Sequence, residues 1–373
     1  MSESADGRST KATKEEERRL SELRAKIDAL DEKIQALITR RAQHAQGIAQ
    51  AKVRNGDKHF YRPEREADVL SRVLERNQGP LPDESMARLF REIMSACLSL
   101  ESPLQIAFLG PAGTFTQEAA LKHFGHAVNT VPLGAIDEVF REVESGNAHF
   151  GVVPVENSTE GVVNHTLDMF LVSSLKICGE VSLRVHHHLL GRKGGSDGAV
   201  RIVTHQQSLA QCREWLDAHL PHVERVAVAS NAEGARLAAA DDKTLAIAGD
   251  SAAKLYGLKV LAGNIEDRPD NTTRFLVIGD LETMPTKSDK TTVILAGKNR
   301  PGALHKLLAP LARQRVNMTR IESRPSRRSI WEYVFFIDIE GHARSPKVAR
   351  VLSLLEREAA FYKCLGSYPR AVR

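Results

Sequence analysis

From Leu104 to Leu255 the chain alternates short apolar runs with segments of helical period, and this alternation restricts the fold more than any other feature. The pattern predicts strands at 104–109, 127–132, 149–153 and 175–184, with helices at 115–124, 135–145 and 160–170. A second set follows, with strands at 188–191, 200–204, 223–227 and 244–248 and helices at 207–218, 230–240 and 249–255. Strands joined through helices imply parallel sheets with crossovers, and two sets imply two α/β lobes with a cleft between them. Open α/β sheets bind ligands at strand ends. The polar residues expected there are Thr114, Glu156, Asn157, Ser158, Thr159, Thr204, His205, Gln207, Gln211, Asn271, Thr272, Thr273 and Arg274. Gly110, Pro111 and Gly113 form a tight turn ahead of a helix, where backbone N–H groups can meet an anion. Blander roles stay open for some of these: helix capping for Ser158 and Thr159, a turn for His205, a structural ion pair for Arg274.

Residues 1–102 read as all-helical. A polar tail, 1–14, is expected to be disordered. From about Glu15 to Val53 the apolar residues Leu20, Leu23, Ile27, Leu30, Ile34, Leu37, Ile38, Ala45 and Ile48 recur at three- and four-residue spacing. A helix of that length would exceed about 50 Å and has nothing of its own to bury its stripe against, so a second copy of the chain is the expected partner. Asn55, Gly56 and Asp57 are expected to break it, with helices following at 63–76 and from Asp83 to about Leu100. Arg41 lies on the apolar stripe, and Lys52, eleven residues on, is rotated from it by only about 20°. Cations in an apolar seam need an anion or water, unless they snorkel to a solvated edge.

Composition excludes several classes. The net charge of +5 is modest and the aromatic share is 5%, which offers no nucleic-acid footprint. The four cysteines, Cys97, Cys178, Cys212 and Cys364, form no CxxC pair and read as reduced thiols of a cytoplasmic protein. The N-terminus does not read as a signal peptide, and no apolar run approaches the ~20 residues of a membrane span. His186, His187 and His188 invite a metal reading. Neighbours on a strand face opposite ways and no fourth ligand is evident, so neither metal nor cofactor is expected.

GPAGTF at 110–115, PVENSTEG at 154–161 and TTRF at 272–275, in that order, resemble prephenate dehydratase across residues 103–280. That resemblance implies two lobes like those of periplasmic binding proteins, closing on prephenate, and loss of carbon dioxide and hydroxide from it. Thr273 matches the threonine on which that family depends, as donor to the departing hydroxyl. LRAKIDALDEKIQALITRRA, AQAKVR and FYRPERE resemble the all-helical chorismate mutase family across 15–102. Carried over by motif, Arg24 is donated by a neighbouring subunit of an intertwined dimer. Arg41 and Arg65 grip the substrate carboxylates, Lys52 meets the ether oxygen and Glu66 holds the ring hydroxyl. Arg62, Cys97 and Glu101 depart from the pattern, standing where Asp, Ser and Gln are found. A glutamate at 101 can donate only when protonated, which implies mutase turnover that falls as it ionises.

Residues 281–290 read as a linker. The tail, 291–373, has the β-α-β-β-α-β order of a ferredoxin-like unit. Gly302-Ala303-Leu304-His305 and Glu322-Ser323-Arg324-Pro325 resemble the motifs with which ACT regulatory domains bind phenylalanine. Together the resemblances imply a homodimeric enzyme of phenylalanine biosynthesis, with chorismate and prephenate as substrates and phenylalanine as effector. It would work without nucleic acid or membrane partners.

Overall fold

The computed structural model describes residues 6–54, 61–192, 195–297, 300–325 and 333–371. It divides into two units. One holds Ala96–Ser102 with the long N-terminal helix; the other holds Tyr61–Ser95 and Pro103–Arg373.

Three helices open the chain: α1 (Asp6–Arg54), α2 (Pro63–Arg76) and α3 (Asp83–Ser99). Disorder through residue 14 is corrected here, because α1 already runs from Asp6. No proline interrupts the sequence, and extending a formed helix is far easier than nucleating one. Residues 1–5 and the expected break at Asn55-Gly56-Asp57 lie outside the described residues. The apolar stripe of α1 stays open to solvent, with Leu20 at 49%, Ile27 at 55% and Leu37 at 62% exposure.

The middle of the chain forms two sheets. The first contains β1 (Gln105–Leu109), β2 (Asn129–Leu133), β3 (Phe150–Asn157), β4 (Gly161–Val162), β5 (Lys176–Arg184) and the late strand β11 (Thr272–Gly279). Its order is β2-β1-β3-β11-β5, with β4 on β3, and helices α4 (Phe115–Phe124), α5 (Ile136–Glu144) and α6 (Asn164–Val172) connect it. The second contains β6 (His188–Gly191), β7 (Arg201–His205), β8 (Glu224–Val228), β9 (Thr244–Ala248) and β10 (Lys259–Ala262), in the order β10-β6-β9-β7-β8. Its helices are α7 (Gln206–Gln211), α8 (Arg213–His219), α9 (Asn231–Ala240) and α10 (Asp250–Tyr256).

Both sheets are mixed, which corrects the all-parallel expectation. β11 leaves the second sheet's part of the chain and returns to the first, antiparallel to β3 and β5. β6 likewise runs antiparallel to β9 and β10. Two predicted helices are also shorter than expected. Asn157 Oδ1 accepts the N–H groups of Thr159 and Glu160, and Gly161 takes a positive φ of 82°, so the chain folds back as β4 before α6 begins. At Cys212 the helical run from 207 breaks, and the Asp267 carboxylate restarts it by accepting from Glu214 N and Trp215 N.

The C-terminal sheet contains β12 (Asp289–Ala296), β13 (Met318–Pro325), β14 (Tyr333–Glu340) and β15 (Phe361–Pro369), ordered β13-β14-β12-β15, with α11 (Ala303–Arg313) and α12 (Pro346–Glu358). Residues 330–332, expected at the start of β14, lie outside the described residues. Ile294, Phe336, Leu365 and Tyr368 of this sheet share one buried core with Ile177, Leu276 and Ile278 of the first. Each such side chain contributes roughly 1.5–3 kcal/mol by burial. The sheets approach so closely that a side chain at Gly366 would meet the Ile177 carbonyl oxygen at 2.5 Å. The expected linker, 281–290, is itself packed: Leu281 and Thr283 are buried, and the Thr283 hydroxyl donates to Ser367 O.

Candidate active sites

Strand alternation sorts the polar residues of β3 and β11. Asn157 pairs in register with Thr273, and Glu156 with Arg274. Successive side chains on a strand face opposite ways, so one pair faces each side of the sheet. Asn157 Oδ1 is occupied by two backbone N–H groups, which fixes the orientation of its amide. Its Nδ2 therefore donates, to Thr273 Oγ1 at 2.7 Å and to Asn271 Oδ1 at 2.9 Å. Thr273 receives a hydrogen bond through its oxygen, leaving its own proton free to be given away.

The network continues across the cleft. Asn271 Nδ2 donates to Gln211 Oε1 at 3.2 Å, and Gln211 Nε2 donates to Thr159 Oγ1 at 3.0 Å and to Glu160 Oε1 at 3.3 Å. Gln207 Nε2 reaches Glu160 Oε2. Beside this network lies a cavity of about 430 Å³, lined by Ser158, Thr159, Glu160, Gln211, Arg213, Glu266, Arg268 and Asn271, among others. Asn157 is bonded to two residues of its lining, Asn271 and Thr159, and Thr273 is bonded to Asn157. Arg213 and Arg268 were not on the expected list. Their signal was only tertiary, since each is an ordinary exposed arginine in sequence.

Other expected residues spend their polar atoms elsewhere. Thr204 is buried and its hydroxyl bonds Ile247 O and Asn231 Oδ1. Thr114 Oγ1 donates to Leu109 O, Thr272 Oγ1 to Asp270 O, and Ser158 Oγ accepts Thr272 N–H. His205 caps α7 by accepting Gln207 N–H, the turn role left open above.

Two expectations fail outright, because alternation turns Glu156 and Arg274 to the reverse face. Arg274 contacts Glu180 at 2.8 Å and Asp338 at 2.6 Å, and donates to Tyr368 Oη at 3.0 Å; Lys290 also bonds Glu180 at 2.8 Å. Burial works against its charge, but the Tyr368, Asp338 and Glu180 neighbours outweigh that and push its pKa up. Glu156 pairs with Arg320 of β13 at 2.9 Å.

In the C-terminal sheet, Gly302 caps α11 with φ 76°, and Leu304 and His305 are exposed in its first turn. Along β13, Ser323 and Pro325 face solvent while Glu322 and Arg324 turn inward. Arg324 pairs with Asp168 at 2.8 Å and with Asn164, both on α6.

The expected mutase residues fall in both units. In the first, Arg41 and Lys52 are half-buried, Cys97 is buried, and Arg24 is exposed. Glu101 brings a carboxyl close to both cations, and its Oε2 is buried without a hydrogen-bond partner. Burial pushes its pKa up, opposed by Lys52 and Arg41. In the second unit Arg65 is exposed and Arg62 half-buried. The Glu66 carboxylate is engaged by Arg91 at 3.3 Å and by Tyr61. Burial raises its pKa.

The three histidines form no metal centre among the described residues. His186 bonds Glu266 at 2.8 Å, His187 bonds Gln211 at 2.8 Å, and His188 approaches Asp250 at 3.4 Å.

The chain matches the family models for chorismate mutase type II at residues 23–102, prephenate dehydratase at 106–283 and the ACT domain at 291–353. A bifunctional chorismate mutase/prephenate dehydratase of Stutzerimonas stutzeri is 58% identical to it over 95% of this chain and 98% of that one. The chain belongs to the bifunctional chorismate mutase/prephenate dehydratase family. A second such protein, from Aquifex aeolicus, is 44% identical over 95% of this chain and 98% of its own. The crystal structure of prephenate dehydratase from Arthrobacter aurescens, in complex with L-Phe, superposes with a TM-score of 0.67 at 38% identity. It covers 72% of this chain and 90% of that one. The all-α, α/β and ferredoxin-like regions thus carry the three domains of a bifunctional enzyme of this family. Among the described residues no helix is long and apolar enough to cross a membrane.

Proposed function

We propose that the family's two reactions are divided between the helical region, 15–102, and the α/β cleft of 103–280, with 291–373 as the sensor. The chain is a chorismate mutase and a prephenate dehydratase of phenylalanine biosynthesis. Rearrangement of chorismate to prephenate needs no nucleophile or base. It needs a compact conformer and positive charge at the ether oxygen as the C–O bond breaks. Lys52 is suited to supply that charge, Arg41 to hold a carboxylate and protonated Glu101 to add a donor.

Prephenate then loses its ring carboxylate as carbon dioxide. The C–C electron pair enters the ring, the C–O bond to the hydroxyl breaks, and a proton on that oxygen makes water. Thr273 is the donor in this reading, and the observation carrying it is the 2.7 Å bond from Asn157 Nδ2. Donation into the threonine oxygen leaves the O–H outgoing and makes it a better acid. Arg213 and Arg268 at the cavity wall are the cations suited to the carboxylates of the dianion.

Phenylalanine is the proposed effector, acting through the exposed Gly302–His305 turn and the outward residues of β13. The solvent-open stripe of α1 supports a homodimer through that helix, since so long an apolar face on one chain invites a second copy. We place the enzyme in the cytoplasm. Incubation with chorismate, following prephenate and phenylpyruvate separately, tests the reading. Arg41→Ala should abolish the first product from chorismate while prephenate supplied directly is still aromatised. Loss of both activities in that variant would undo the division. Titration with phenylalanine should lower the dehydratase rate, with sedimentation following the dimer; an unchanged rate at saturation removes the sensor role.

A further inference from the structure

We propose that His187 is a positioning residue of the dehydratase site, acting through the side-chain amide of Gln211. The inference rests on the cleft reading above, and the hydrogen-bond arithmetic around Gln211 carries it. Thr159 Oγ1 donates to Asn157 Oδ1 at 2.6 Å, so toward Gln211 it can only accept. Glu160, the other neighbour on that side, offers carboxylate oxygens. The Gln211 nitrogen must therefore face Thr159 and Glu160, and its oxygen must face Asn271 and His187. An oxygen cannot donate, so the proton of the neutral imidazole sits on Nε2 and the 2.8 Å contact runs from His187 to Gln211.

His187 has no other evident use for that proton. It is 1% exposed, in the crossing from β5 to β6. Its backbone N–H is held by Glu266 Oε2 at 2.9 Å, and Phe115 packs edge-on against its ring at 5.7 Å. Its Nδ1 is buried and meets no protein partner among the described residues. Burial pushes its pKa down, keeping the ring neutral and the tautomer single. The ring thus spends one directional bond on the Gln211 oxygen. That bond, with the one from Asn271, prevents the amide from turning over. A reversed amide would point NH₂ at Asn271 Nδ2 and break the chain of donors ending on Thr273.

The full-length enzyme tests this with His187→Gln, His187→Asn and His187→Leu. A glutamine can place an amide N–H close to the position of Nε2, whereas asparagine is one bond too short and leucine has no donor. His187→Leu and His187→Asn should lower dehydratase kcat by about thirtyfold with KM within about threefold, and His187→Gln should return kcat to within about threefold of wild type. Mutase turnover, measured on the same samples, should match wild type, and the unfolding midpoints of the glutamine and asparagine variants should match each other. Equal loss in the glutamine and asparagine variants, or wild-type kcat in both, overturns the proposal, and this pair decides even where the leucine variant fails to fold. A wild-type enzyme that does not turn over prephenate would instead remove the cleft reading itself.

Discussion

In the helical unit the groups brought together are ionisable: the cations Arg41 and Lys52, and Glu101, whose pKa burial pushes up against their pull. In the α/β cleft the groups nearest Thr273 are neutral, a hydroxyl, three amides and an imidazole that burial keeps uncharged, and the Glu160 carboxylate enters only at the far side of Gln211. The contrast follows from the two reactions. An internal rearrangement moves no proton, so fixed charge at the breaking bond is what the protein can usefully add. Aromatisation needs a proton at one oxygen, and a neutral donor whose direction is set by its neighbours supplies it without a large desolvation cost.

The most severe way to break this contrast is Thr273→Ala. Loss of a positioned proton donor should lower dehydratase kcat by about 10²- to 10⁴-fold. Mutase turnover of the same protein should be untouched, as measured from chorismate consumption. Residual aromatisation near the wild-type rate would leave the cleft without its acid.

Next in size is Arg274→Leu, which asks whether charge behind the cleft strand is structural. Arg274 pairs with buried Asp338 and with buried Glu180, which it shares with Lys290, and donates to Tyr368. Removing one partner of a buried ion cluster typically costs about 3–5 kcal/mol, read here from denaturant unfolding. Below the unfolding transition, KM for prephenate should stay within about twofold of wild type. A large rise in KM at unchanged stability would return Arg274 to the substrate. Glu156→Gln is the milder form. Its carboxylate is 40% exposed, so loss of the Arg320 pair should change stability by only about 1 kcal/mol.

These residues also mark where sequence reading stopped. The order of domains and most element boundaries follow from period and motif, because both are local. Alternation along a strand already separates Glu156 from Asn157 and Arg274 from Thr273; grouping all four by motif overlooked it. The antiparallel return of β11 was not legible, since apolar period identifies a strand but not its neighbour. His187 looks like part of a doubtful metal triplet because its partner, Gln211, becomes a neighbour only when α7 packs beside the start of β6. Arg213 and Arg268 acquire meaning in the same way, from the cavity they border.

The last prediction changes no rate at acid pH and sharpens the contrast only as pH climbs. Glu101 has its pKa raised by burial, against the pull of Lys52 and Arg41. A carboxyl of this kind is protonated, and able to donate, below the ordinary carboxylate range. It keeps that form to higher pH than usual and loses it as pH climbs through the raised value. Mutase kcat/KM should therefore decline toward alkaline pH, by up to about tenfold per unit once Glu101 ionises. Glu101→Gln carries a permanent donor and should flatten the profile, exceeding the wild type most at the alkaline end and converging on it toward acid pH. Dehydratase turnover, which does not involve Glu101, should be the same in both proteins at every pH. A wild-type mutase profile that is already flat toward alkaline pH would show that the carboxyl does not act as a donor, and that Arg41 and Lys52 alone carry the helical site.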